Sequence, residues 1–127
     1  ENHKLLTVGL IKLLSYEHDI EIIGIAHSAH ETYNKLQRVK TDLLVIDYHL
    51  EDENGLLVAQ NTRKLYPDLK SILLSNREEA SIIKAVLQDE TDGYILKKKY
   101  SSDLMKAIKA VRDDKAYIRA DINLYSV

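Results

Sequence analysis

Three residues could act together on one anion: Asp47, Ser75 and Lys97. Each closes a short apolar run, Leu43-Leu44-Val45-Ile46 before Asp47, Ile72-Leu73-Leu74 before Ser75 and Tyr94-Ile95-Leu96 before Lys97. A carboxylate can attack a phosphoryl group as a nucleophile. A lysine and a divalent cation can neutralise charge on the transferring phosphate, and a hydroxyl can donate to its oxygens. That chemistry requires all three side chains to meet at one place.

The pattern around them supplies such a place. Short unbroken apolar runs suit strands covered on both faces, as in parallel sheets. The sequence predicts strands over 19–26, 43–47, 71–75 and 92–96. Between them lie helical patterns. The first runs from His3 to about Tyr16, with Leu5, Leu6, Leu10, Leu13 and Leu14 on one face. The second opens on the capping box Ser28-Ala29-His30-Glu31 and reaches about Val39. A third follows Gly55 and stops at Tyr66, before Pro67; a fourth covers 79–89. The last has Leu104, Ala107, Ile108 and Val111 on one face and gives out near Asp113. Alternating helices and strands imply a parallel sheet with right-handed crossovers and helices on both faces. Ligands of such sheets bind beyond the carboxyl ends of the strands, where all three residues fall.

Composition narrows the function classes. A chain of 127 residues with 45% hydrophobic residues, one Pro and four Gly suits a single domain over 1–127. A formal net charge of -2 gives no general basic field for nucleic acid or an anionic membrane. Cys is absent, which excludes disulfides and thiolate metal sites. No apolar run approaches the roughly 20 residues of a membrane span, and a cytoplasmic protein is expected. No Gly-rich phosphate loop follows any predicted strand, which disfavours a nucleotide or flavin binder of the same architecture.

The segments LLVIDYHLEDENGL, SILLS and DGYILK together resemble a response-regulator receiver domain, the CheY-like fold, over nearly the whole chain. The helix SDLMKAIKAV and the tail KAYIRADI look most like the branch joined to LuxR-type helix-turn-helix output domains. The resemblance implies a doubly wound, five-stranded parallel sheet of order 2-1-3-4-5. It makes Asp47 the phospho-acceptor, Ser75 the switch hydroxyl, Lys97 the phosphate-pairing lysine and Tyr94 the switch aromatic, which turns inward on phosphorylation. It also implies Mg²⁺ held by Glu1, Asn2, Asp47 and the backbone carbonyl of His49. The implied partner is a sensor histidine kinase, and the implied activity is switching rather than enzymatic turnover. A homodimer is compatible, and DNA binding by this domain alone is not expected.

In this family a strand precedes the acidic pair, whereas this chain begins at Glu1-Asn2-His3 and ends INLYSV. Joining end to start gives a plausible first strand, so the sequence predicts a circular permutation. Residues 122–127 would be the central strand, of the same chain or of a strand-swapped neighbour. Asn2 stands where the family prefers Asp, and Glu51 where it has Pro. These departures favour the alternative of a pseudo-receiver, an interaction or dimerisation module independent of phosphorylation.

Overall fold

The computed structural model describes residues 12, 14, 17–24 and 26–118. In chain order its elements are α1 (Ala29–Arg38), β1 (Leu43–Asp47), α2 (Gly55–Leu65), β2 (Lys70–Ser75), α3 (Ala80–Leu87), β3 (Gly93–Leu96), a 3₁₀ turn (Lys97–Lys99), α4 (Tyr100–Arg112) and β4 (Tyr117–Ile118). Ser28 caps α1 as the capping-box pattern predicts, its side chain accepting from the Glu31 amide. Pro67 lies two residues beyond the end of α2, where the residue before a proline is steered away from helical backbone.

The described strands form a four-stranded sheet in the order β1-β2-β3-β4, every pair parallel. Side-chain alternation divides its apolar residues between two faces. Ile46, Leu73, Tyr94 and Leu96 pack with Ala29 of α1, with Leu56, Val58 and Ala59 of α2, and with Ile82, Ile83, Ala85 and Val86 of α3. Ile72, Leu74 and Ile95 pack on the other side against Leu104, Ala107, Ile108 and Val111 of α4, with Leu14 and Ile20 beside them. Helices therefore cover both faces. Each fully buried aliphatic side chain adds about 1.5–3 kcal/mol to this sandwich. No helix among the described residues is long and apolar enough to cross a membrane.

Two expectations change. Residues 20–24 and 26 carry no strand, and Ile22 and Ile23 are 39% and 42% exposed. A strand is defined by its ladder, and no described segment pairs with this one. Conversely, Tyr117–Ile118 adds a short edge strand beside β3 that alternation over two residues cannot announce. The permuted first strand, residues 122–127, lies outside the described residues.

Surface carboxylates give the fold an acid dependence. Asp114 pairs with Lys70 and Asp19 with Arg112, and these bonds hold both carboxyls below the ordinary carboxylate value. Asp52 is lowered in the same way, chiefly by the Ala29 and His30 amides. A folded-state value below the unfolded one means that the stabilisation is complete above the unfolded value, near 3.9. It is lost as pH falls through that value toward the lower, folded-state ones. The urea midpoint should therefore hold from about pH 7 to 5 and drop below about pH 4. A midpoint that is flat down to pH 3 would contradict these pairings.

Candidate functional site

Register brings the strand ends to one rim. Asp47 lies beside Leu74 and Ser75 beside Leu96, so the ends of β1, β2 and β3 climb by one residue per strand. Lys97 follows at once as the first residue of the 3₁₀ turn. Its side chain is 1% exposed, and its Nζ stands 2.5 Å from Asp47 Oδ2. An ammonium withdrawn from water needs an anion against it, and Asp47 supplies one. Asp47 itself keeps 15% exposure, enough for a reactant to approach.

The other carboxylate oxygen is also engaged. The His49 amide donates to Asp47 Oδ1 at 2.8 Å. Tyr48 N–H donates to Leu74 O at 2.7 Å, and Gly55 N–H donates to Tyr48 O at 2.8 Å. With the antiparallel bridge between His49 and Asn54, these bonds close residues 48–55 into a ring. Asn54 then caps α2, its Oδ1 accepting from the Leu56 and Leu57 amides at 2.7 and 3.3 Å.

Ser75 and Tyr94 meet on a different atom. The Ser75 hydroxyl donates to Arg77 O at 2.8 Å and accepts from Arg77 N–H at 3.3 Å. The Tyr94 hydroxyl donates to the same Arg77 O at 2.8 Å and accepts from Glu79 N–H at 3.2 Å. Tyr94 is 0% exposed, its side chain turned inward in this structure. Its ring already fills the space between β3 and α3, because its hydroxyl finds two backbone partners there.

The structure thus unites Asp47 with Lys97 and His49, and Ser75 with Tyr94, the two groups meeting at adjacent strand ends. Glu1 and Asn2 lie outside the described residues. At the rim, the Asp47 carboxylate and the His49 backbone carbonyl are hard oxygen donors of the kind Mg²⁺ takes, and their chemistry fits that ion. Among the described residues no group of three His, Asp or Glu side chains could hold a metal. Sequence reasoning missed Arg77, whose role is played by a carbonyl that every residue has. It also missed Asp52, whose partners are 22 and 23 residues away. Asn54 was findable, since Asn just ahead of a helix is a capping signal.

The family model described as response regulator receiver domain matches residues 1–109. Response regulator protein VraR of Staphylococcus saprophyticus is 25% identical over 122 residues, 96% of this chain and 58% of the relative. Oxygen regulatory protein NreC of Staphylococcus aureus is 27% identical over 119 residues, 93% of this chain and 55% of the relative. The chain therefore spans just over half the length of these curated relatives. Among solved structures, the isolated REC domain of RcsB from Salmonella enterica serovar Typhimurium, in the presence of phosphomimetic BeF3-, superposes with a TM-score of 0.81 at 22% identity, over 91% of this chain and 86% of that one. A CheY-like response regulator receiver domain protein from Methanospirillum hungatei JF-1 gives 0.76 at 24% identity, over 87% of each chain.

Proposed function

The chain belongs to the response regulator receiver domain family, and from that membership we propose that it is a phospho-accepting switch with Asp47 as the acceptor. The observation that carries this reading is the buried Lys97 ammonium set 2.5 Å from the Asp47 carboxylate at the open rim of the sheet. A carboxylate oxygen of Asp47 attacks phosphorus and forms the O–P bond of an acyl phosphate. The P–N bond of a kinase phosphohistidine, or the P–O bond of a small acyl phosphate, breaks, and its electron pair leaves with imidazole or acetate. Lys97 stays beside the group whose charge grows. Mg²⁺, when bound, supplies a divalent charge against the phosphoryl oxygens. Asp47 and the His49 carbonyl would hold it, with Glu1 and Asn2 as further donors.

The new charge is read through Ser75. If its hydroxyl turns to donate to a phosphoryl oxygen, Arg77 O loses one of two donors and keeps only the bond from Tyr94. The 76–79 segment, held between them, then shifts together with the start of α3. The bias required is about 1–3 kcal/mol. The surface that changes is formed by α3, β3 and α4. Partners of this reading are a sensor histidine kinase and a second copy of the chain, and the output is regulation of transcription by the whole protein. The permuted order of the first strand rests on the sequence pattern alone.

Incubation with acetyl phosphate and Mg²⁺ should add the mass of one phosphoryl group, and Asp47→Ala should abolish the gain. No gain in the unsubstituted protein would leave the pseudo-receiver as the better reading. A gain that survives in Asp47→Ala would place the acceptor elsewhere.

A further inference from the structure

The ring that begins at Asp47 ends on a second helix. Asp52 accepts from the Ala29 amide at 2.9 Å through Oδ1 and from the His30 amide at 3.1 Å through Oδ2. Ser28 Oγ accepts from the next amide, Glu31, at 3.1 Å. The first amides of a helix have no partners within it. Here the first two are satisfied by an acid from another loop and the third by the helix's own cap. Beside this clamp, the Tyr33 hydroxyl reaches Glu53 Oε1 at 3.5 Å and accepts from Asn61 Nδ2 at 3.1 Å, which joins the ring to both α1 and α2.

The path from the acceptor to the clamp is short and stiff. It starts at Asp47 Oδ1 with the His49 amide and ends at Asp52, three residues on. The ring cannot stretch, because Tyr48 O is bonded to Gly55 N–H and His49 is bridged to Asn54. A displacement at one side of so small a closed loop is passed to the other rather than absorbed.

We infer that residues 48–54 form a strap through which modification of Asp47 loosens the Asp52 clamp on the first turn of α1, giving the domain a second responsive face besides the one reached through Ser75 and Tyr94. The inference rests on the proposed phosphorylation of Asp47. Forming the acyl phosphate turns one Asp47 oxygen into the bridge to phosphorus and the other into a carbonyl. Neither accepts from the His49 amide as strongly as a carboxylate oxygen does. The modification also adds negative charge next to a strap that already carries Glu51, Asp52 and Glu53. The first effect weakens the hold on the His49 amide, the second repels the acids of the strap, and the ring carries Asp52 with the movement.

Hydrogen exchange of the full chain tests this, with beryllofluoride and Mg²⁺ as the phosphoryl mimic. In the unsubstituted protein, the Ala29 and His30 amides should exchange roughly 2- to 30-fold faster with the mimic, the factor expected when a helix loses its N-terminal acceptor. Asp52→Ala should exchange fast at both amides with or without the mimic, and Asp52→Asn, which keeps one acceptor oxygen, should fall between. Residues 75–79 serve as the control. If they respond and the α1 amides do not, the strap is refuted while phospho-acceptance stands. If neither region responds, the phospho-acceptor reading fails and the strap with it. An α1 response that persists in Asp52→Ala also refutes the strap, because it would have to travel by another route.

Discussion

Gly55→Ala is expected to lower stability by about 3 kcal/mol, at the top of the roughly 1–3 kcal/mol range for overpacked sites. The reason is a close approach of backbone to backbone. A Cβ on Gly55 would stand 2.1 Å from Asp47 O, 2.9 Å from Asp47 C and 2.9 Å from Tyr48 Cα. No side chain can rotate away to relieve this, so either α2 or the end of β1 must move. Gly55 N–H also closes the ring on Tyr48 O, and that bond would be stretched by the same movement. Because the displaced residue is Asp47 itself, phosphoryl uptake from acetyl phosphate should fall with stability. Urea denaturation and the rate of mass gain measure the two effects. A variant that matches the unsubstituted protein in both would show that the contact is not tight in solution.

The second large effect is that of Asp47→Asn. Phosphoryl uptake should vanish, since an amide cannot supply the attacking oxygen. Stability should fall as well, by about 1–3 kcal/mol. Removing one partner of an enclosed ion pair costs about 3–5 kcal/mol because the other charge is stranded. Here the loss is smaller, because Asp47 is 15% exposed and water can approach the ammonium from the rim. Asparagine keeps the shape of the side chain and an oxygen for the His49 amide, so the stability change isolates the charge. Stability equal to or above that of the unsubstituted protein would mean that the anion at Asp47 is not what holds Lys97 inside.

The substitutions also separate what could be foreseen from what could not. Asp47, Ser75 and Lys97 stood out because each ends an apolar run, and a parallel sheet sends all its strand ends to one rim. Gly55 was legible only as a residue preceding a helix; its value lies in a carbonyl eight residues earlier that folds back against it. Arg77 O, on which Ser75 and Tyr94 converge, left no trace in residue identity because any residue offers a carbonyl. The segment 19–26 has a strand-like composition, but composition cannot provide the neighbouring strand that would make it one.

The sequence by itself determined the alternation of helices and strands from α1 to α4, the near residue-level limits of β1 and β2, the Ser28 cap and the three polar residues at the strand ends. All of these follow from local periodicity and from the rule that a buried run stops where a polar residue begins. Only the tertiary structure decided that Lys97 is buried against Asp47, that Tyr94 is already turned inward, that Asp52 holds the start of α1 and that Tyr117–Ile118 lies beside β3. Each of these is a contact between segments distant in the chain, set by strand register and helix packing, which no local pattern encodes.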